Sequence, residues 1–323
     1  MIGLGVGVQL GSMQYSCQTY QHPFHPPLET RYGVWSVRQG LIITLKDDSG
    51  KVGRGEIAPL PWFGSETWEQ AQDYCQCLSP QLTEKDLLSV PDDYPACQFG
   101  FGSAWAALTN PTEPTSSQLP MCGLLPTGKT ALSACSHLWQ QGYRTLKWKI
   151  GVDLPAAEQA IFLDLIAELP QTATLRLDAN GGLSYQSACQ WLGLCDHLTS
   201  EVRIEYLEQP LPPSQMADLL ALNQQFQTPL ALDESVATLA QLQHCYQQGW
   251  RDIFIIKPAI CGYPESLRQF CQTYAIDAVF SSVFESEIGR QACLQLAADL
   301  SNPNRAIGFG VNHWLPEYES LHP

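Results

Sequence analysis

Five charged residues recur at nearly even intervals: Lys149, Asp178, Glu208, Asp233 and Lys257, spaced 29, 30, 25 and 24 residues apart. Each follows a short apolar run, as in Thr174-Leu-Arg-Leu-Asp178 and Ile253-Phe-Ile-Ile-Lys257. The three acids are candidate ligands for one divalent cation. Carboxylates brought together repel unless a cation offsets them, and an all-oxygen set favours Mg²⁺ or Mn²⁺ over zinc. A single acid at a strand end is commonly a helix cap. Three in successive units, each behind an apolar run, are poorly explained that way.

The lysines suit proton transfer. In Thr145-Leu-Lys-Trp-Lys149, strand alternation puts Lys147 and Lys149 on one face and Trp148 on the other. Pairing with the acids is the bland explanation for such lysines. The chemical one is that neighbouring ammonium groups, together with burial, lower each other's pKa, and a lysine tuned toward neutrality acts as a general base. Lys147 is then the neighbour that tunes Lys149. Lys257 lies across the ring, so a substrate held at the cation has a lysine on each face. This arrangement fits removal of the proton α to a carboxylate, with the enediolate stabilised by cation and ammonium groups in a dry pocket. Arg176 lies two residues before Asp178 on the same strand face. It either supports catalysis, orienting substrate or tuning a lysine, or is a structural partner of the acids. Asn180 and Gln209 are candidates to orient the metal ligands. Glu234, beside Asp233, is expected to face the other way.

These residues need elements to converge them. Short apolar strands alternate with helical stretches after Leu119: Met121–Leu125, Thr145–Ile150, Thr174–Leu177, Ile204–Leu207, Leu230–Leu232, Ile253–Ile256, Ala278–Phe280 and Ala306–Phe309. Helices are expected at Ala156–Leu169, Tyr185–His197 and Gln215–Phe226, among others. Eight βα units point to a parallel α/β barrel over 116–310, with all five charged residues at the C-terminal mouth. Residues 1–115 read as an antiparallel α+β unit. A hairpin joins Arg38–Leu45 to Lys51–Ile57 through Asp47-Asp-Ser-Gly50. Helices are expected at Ser65–Cys77, capped by Ser65 or Thr67, and at Phe101–Leu108. The composition of 110–118 marks a linker, residues 1–12 fit no element, and 311–323 form a C-terminal segment.

Composition narrows the function classes. The 323 residues include 45% hydrophobic ones, enough for a large core, and carry a net charge of −15. No Lys/Arg cluster marks a nucleic-acid or acidic-membrane face, so a bound anion must find its positive charge within the site. No apolar run approaches the roughly 20 residues of a membrane span, and the N-terminus does not read as a signal peptide. Twelve cysteines lie scattered in apolar segments with no CxxC, which suits reduced thiols in a cytoplasmic protein. Cys75-Gln-Cys77 is a weak chelate candidate. The seven histidines (His22, His25, His137, His197, His244, His313 and His322) show no ligand-like spacing.

Taken as a set, Lys147-Trp-Lys149, Asp178-Ala-Asn180, Glu208-Gln-Pro210, Asp233-Glu-Ser235 and Lys257-Pro resemble the enolase superfamily, in its muconate-lactonizing-like subgroup. Tyr32-Gly-Val-Trp35, Arg38-Gln-Gly40, the Gly55–Glu66 stretch and Ser281-Ser-Val-Phe-Glu-Ser286 extend the resemblance, which runs from about Tyr20 to Trp314. The resemblance implies a (β/α)₇β barrel under an α+β cap, with the C-terminal segment returning to that cap. It also implies a small anionic dicarboxylate substrate and Mg²⁺-dependent syn dehydration of 2-succinyl-6-hydroxy-2,4-cyclohexadiene-1-carboxylate to 2-succinylbenzoate, in menaquinone and phylloquinone biosynthesis. Lys149 then carries the proton, Lys257 is a fixed counter-charge, and Ser281, Ser282, Gly308 and Gly310 contact the succinyl arm.

Rival readings remain. The same two lysines serve N-acylamino acid racemisation equally well. Dipeptide epimerases are disfavoured because Gly308-Phe-Gly-Val-Asn312 lacks an Asp-x-Asp pair, and a mandelate-type racemase needs a histidine where Lys257 stands. From another class, Gly123-Leu-Leu-Pro-Thr-Gly-Lys-Thr130 matches a phosphate-loop pattern, but Pro126 removes an N–H from the cradle. Trp62 and Phe63 are either core or a cap loop that meets substrate.

Overall fold

The computed structural model describes residues 11–31, 33–111 and 119–311. Most of the expected linker (112–118), Tyr32, residues 1–10 and everything from Asn312 onward lie outside the described residues, and the C-terminal segment's expected return to the cap falls there too. Among the described residues no helix is long and apolar enough to cross a membrane.

The N-terminal part is an antiparallel sheet of β1 (Met13–Thr30), β2 (Gly33–Lys46), β3 (Val52–Ile57) and β4 (Gln81–Leu82), in the order β3-β2-β1-β4. The β2–β3 hairpin turns where expected, because the Asp47 carboxylate accepts from the N–H groups of Ser49 and Lys51, each at 2.9 Å. β1 was not expected, since Pro23, Pro26 and Pro27 argue against a strand. It forms because β4 pairs only with Met13 and Gln14, which leaves most of β1 as an edge where prolines are tolerated. The β1–β2 register shifts between Pro23 and Leu28 to absorb them.

Thr67, not Ser65, caps the Trp68–Cys77 helix, in a capping box with Gln70. Ser65 instead accepts from the Leu60 N–H at 2.6 Å. The Phe101–Leu108 expectation grows into a helix over Pro95–Thr109. Its N-terminal N–H groups at Ala96 and Cys97 donate to the Glu66 carboxylate at 3.0 and 2.7 Å. The helix lies flush on β3, where a Cβ at Gly55 would collide with the Gly100 carbonyl and one at Gly100 with Ile57. Cys75 is buried and Cys77 exposed, so that pair does not chelate.

Eight parallel strands follow: β5 (Met121–Leu124), β6 (Thr145–Lys149), β7 (Thr174–Asp178), β8 (Arg203–Glu208), β9 (Leu230–Leu232), β10 (Ile253–Ile256), β11 (Ala278–Phe280) and β12 (Ile307–Gly310). They are hydrogen-bonded in chain order from β5 to β11, with β12 beside β5. A Ser281–Gly308 bridge and the Ser282 N–H on the Gly308 carbonyl at 3.1 Å join β11 to β12 and close the ring. The fold is the expected barrel with an α+β cap. Apolar runs of three to six residues are what a strand buried on both faces requires, so the sequence located all eight within two residues at either end. Gly123–Thr130 is the first barrel strand and its turn.

Outward-facing strand residues pack under the helices, as Trp148 does against Trp191 with ring centres 6.4 Å apart. Tyr206, Ala231, Ile253, Ile255 and Val279 form a separate buried cluster. They fill the barrel lumen, so the mouth has a solid floor.

Candidate active site

The parallel register brings the candidate residues level. Lys149 pairs with Asp178 and Asp178 with Glu208 across β6, β7 and β8. Lys147 Nζ lies 2.9 Å from Asp178 and 3.0 Å from Glu208, and Lys257 Nζ contacts Asp233 Oδ1. Asp178, Glu208 and Asp233 are almost fully buried, while Lys149 is half-buried at the rim.

Burial of so much charge shifts the acids apart. Burial raises Glu208 to about 7, with Asp178 adding to it, and Lys147 offsets only part. Burial likewise raises Asp233 to about 6 although Lys257 opposes it. At Asp178 burial pushes up too, but Lys147, Lys149 and the Asn180 N–H outweigh it and hold the carboxyl below its usual value. Lys147 departs from expectation. Burial lowers its pKa, yet the three acids prevail and hold it well above the ordinary lysine value. The acid clamp, not the neighbouring ammonium, dominates there.

Gln209 and Asn180 both bond groups beside the acids. Gln209 is fully buried; its Oε1 accepts from the backbone N–H groups of Asp233 and Ser235 at 3.0 and 3.1 Å, and its Nε2 donates to Ser235 Oγ at 2.8 Å. The Asn180 N–H donates to Asp178 Oδ1 at 3.0 Å, and its side chain donates to Glu234 Oε1 at 3.1 Å. Both residues hold left-handed backbone, φ 36° at Gln209 and 44° at Asn180, a strain that non-glycine residues accept only where the surroundings impose it. Glu234 is a correction. It turns toward Asn180, because β9 ends at Leu232 and Glu234 opens a 3-10 turn, so strand alternation does not apply to it. Among the described residues, its Oε2 is buried without a partner.

Other expectations are also revised. Arg176 is level with Lys147 in the strand register, not with Lys149 and Asp178. It sits one strand pleat below, with Nε on Glu205 at 2.6 Å, Nη2 on the Ala306 carbonyl at 2.7 Å, and its guanidinium over Tyr206. Arg305 completes the cluster by bridging Glu205 and Asp277. Glu205→Gln leaves two guanidinium groups short of a buried counter-charge, so it should destabilise the fold by about 3 kcal/mol. Denaturant unfolding reads that loss, and KM should stay unaltered. The Ser282 hydroxyl bonds the Glu285 carboxylate at 2.9–3.0 Å and accepts from the Phe284 N–H, so it is taken up within its own loop. A Cβ at Gly308 would strike Ser281 Oγ, and one at Gly310 the Cys122 carbonyl. Glycine at both positions permits that close approach at the barrel seam. Ser281 stays half-buried at the closure point, with its hydroxyl 3.4 Å from the Gly308 carbonyl.

The cap spans this mouth, as the resemblance implied, through contacts that the sequence did not reveal. Glu56 of β3 is fully buried and accepts from the N–H groups of Ser286 and Gly289 at 2.8 and 2.9 Å, at the start of the Glu287–Leu300 helix. On the opposite side, Arg31 at the β1–β2 turn donates to the Asn180 carbonyl. Phe24 and Trp35 meet Phe284 edge-on, 5.3 and 5.7 Å between ring centres. Phe63, from the loop after β3, places its ring 3.9 Å from Lys257 Nζ. A glutamate within Val52-Gly-Arg-Gly-Glu56 was the only local hint of the first contact.

The donor set is suited to a hard cation: three oxygen ligands from consecutive strands, with acids that repel one another. Among the described residues, no three such side chains enclose an ion as they stand. The ammonium groups of Lys147 and Lys257 lie on the carboxylates instead.

A parallel barrel whose acids and lysines gather at its C-terminal mouth beneath an α+β cap is an enzyme architecture of the enolase kind. A family model described as enolase C-terminal domain-like matches residues 130–322, and the MenC N-terminal domain model matches residues 13–108. The o-succinylbenzoate synthase of Thermosynechococcus vestitus is 42% identical over 94% of this chain and 94% of its own length. That of Aliivibrio fischeri is 31% identical over 86% of this chain and 84% of its own. The crystal structure of o-succinylbenzoate synthase from Thermosynechococcus elongatus, complexed with Mg in the active site, superposes with a TM-score of 0.87 at 41% identity, covering 93% of this chain and 94% of that one. The chain belongs to the o-succinylbenzoate synthase family of the enolase superfamily.

Proposed function

We propose that this chain is a lyase that dehydrates 2-succinyl-6-hydroxy-2,4-cyclohexadiene-1-carboxylate to 2-succinylbenzoate, with Mg²⁺ as its cation. Family membership supports the reaction. The observation that carries the chemistry is the level placement of Lys149 beside Asp178 and Glu208, with Lys257 on Asp233 across the mouth. Asp178, Glu208 and Asp233 hold the cation, which when bound supplies positive charge to the substrate carboxylate and to the enediolate derived from it. Lys149 takes the proton from C1. As an ammonium it then protonates the hydroxyl leaving C6 on the same ring face, so water departs as the C1–C6 double bond forms and the ring becomes aromatic. Lys257 stays charged and faces the enediolate. Gln209 and Asn180 fix the acids, and the cap loops exclude water. The same proposal covers the division into a cap over 1–115 and a barrel over 116–310.

Purified protein with Mg²⁺ and the hydroxycyclohexadiene carboxylate should yield the aromatic product. Faster racemisation of an N-succinylamino acid than dehydration would favour the rival activity.

The acids also set a pH signature. Without metal, raised Glu208 and Asp233 make the folded protein bind more protons than the unfolded chain between about pH 4 and pH 7. Their contribution to stability therefore falls as pH rises through that window. Asp178, shifted downward, acts in the opposite direction only at more acid pH. Mg²⁺ competes with those protons, so the rise in Tm on adding Mg²⁺ should widen from pH about 5 to pH about 8. A Tm gain that is flat across this range contradicts the metal assignment.

A further inference from the structure

Lys257 is held from two directions. Asp233 takes its ammonium from the barrel side, and the Phe63 ring covers it from the cap, 3.9 Å away. Phe63 ends the 3-10 turn Pro61–Phe63, and that turn hangs on Arg38 of β2. Arg38 is 2% exposed, and its guanidinium donates to the carbonyls of Ala58 at 2.6 Å, Pro59 at 2.8 Å and Gln39 at 3.1 Å. None of these acceptors is charged, and among the described residues Arg38 Nε is buried without a partner. A buried cation whose hydrogen bonds reach only neutral carbonyls is unfavourable for stability. A loop with prolines at 59 and 61 offers carbonyls but lacks N–H groups at those positions, which a rigid fork of donors matches.

We propose that Arg38 is a positioning residue: it holds the Ala58–Phe63 loop so that Phe63 seals the Lys257 ammonium under an aromatic face. Such a face attracts a cation while bringing no carboxylate to compete with the substrate's developing negative charge. Trp35 carries the assembly sideways, with Arg38 5.4 Å from its ring centre and the Trp62 ring 5.0 Å away edge-on. The inference rests on the proposed role of Lys257, but the seal itself can be read without any substrate.

The test uses the Mg²⁺-loaded full chain and two readouts. One is the rate at which a small acylating reagent modifies Lys257, measured by peptide mass spectrometry against exposed Lys85 as internal standard. The other is kcat and KM. Phe63→Ala should speed Lys257 labelling about tenfold and lower kcat about tenfold, with KM little changed. Phe63→Tyr should restore most of both. Arg38→Lys, which keeps the charge and loses the fork, should reproduce Phe63→Ala, and the double variant should be no worse than either single one. Arg38→Gln replaces Arg38→Lys if the latter does not fold. Labelling of Lys257 at the wild-type rate in a folded Arg38 variant, or effects of the two substitutions that multiply, would overturn the proposal. Slow wild-type labelling without turnover of the diene refutes the proposed reaction and leaves the seal standing.

Discussion

Lys149→Ala should lower kcat for dehydration by about 10⁴-fold or more, with the fold and Mg²⁺ binding retained. The reason is that one amine is assigned both proton steps. It takes the C1 proton and returns a proton to the leaving hydroxyl, so its loss disables base and acid together. Lys149 is half-buried and Asp178 keeps Lys147 as an ion-pair partner, so truncation leaves no buried acid without a counter-charge. Lys149→Arg should fail nearly as badly, because a guanidinium stays protonated and cannot accept the proton. Steady-state rates at saturating substrate and Mg²⁺ provide the check. Activity within tenfold of wild type in either variant would show that another group carries the proton.

The second large effect is expected at Asp233. Asp233→Asn preserves shape but removes one of the three proposed anionic ligands and the counter-charge of Lys257. Removing an orienting partner of a metal ligand commonly weakens metal binding by about 10- to 100-fold, and loss of the ligand itself should exceed that. Calorimetric Mg²⁺ titration should therefore show binding weakened by more than about 100-fold, with dehydration lost at ordinary Mg²⁺ concentrations. Asp233 serves as a sharper probe than Asp178. Its backbone N–H is pinned by Gln209, so the substitution should change charge with little movement. Unchanged Mg²⁺ affinity in Asp233→Asn would remove it from the ligand set.

The central ring was readable because a barrel converts interval into position. Each βα unit advances one strand around the ring, so intervals of 24 to 30 residues between polar strand ends become side-by-side placement at one mouth. Reading β6 as a strand likewise separated Lys147 and Lys149 from Trp148, and Trp148 is indeed packed on Trp191. What could not be read depends on partners distant in sequence or on where alternation stops. The partner of Arg176 is Glu205, 29 residues on, with Arg305 completing the cluster, and nothing local distinguishes that pairing from one at the mouth. Glu234 was misplaced because alternation was carried two residues past the end of the strand at Leu232. β1 was missed because its prolines argue against a strand unless most of it is known to lie at a sheet edge. Ser282, Gly308 and Gly310 were read as substrate contacts, and their further engagement by their own loop and by the barrel seam was not read. The contacts of Glu56 with Ser286 and of Arg31 with Asn180 span more than 100 residues each and follow from docking of the cap, which local patterning does not encode.

On the proposed mechanism, one magnesium ion held by Asp178, Glu208 and Asp233 works with Lys149 at a single mouth. The most direct measurement is aromatisation of the hydroxycyclohexadiene carboxylate by chelator-treated protein as Mg²⁺ is titrated back, with Lys149→Ala run in parallel. No product should form without Mg²⁺, recovery should saturate at one bound ion per chain, and Lys149→Ala should not recover. Product formation that survives chelation, or that returns with Mg²⁺ in the absence of Lys149, would contradict that mechanism.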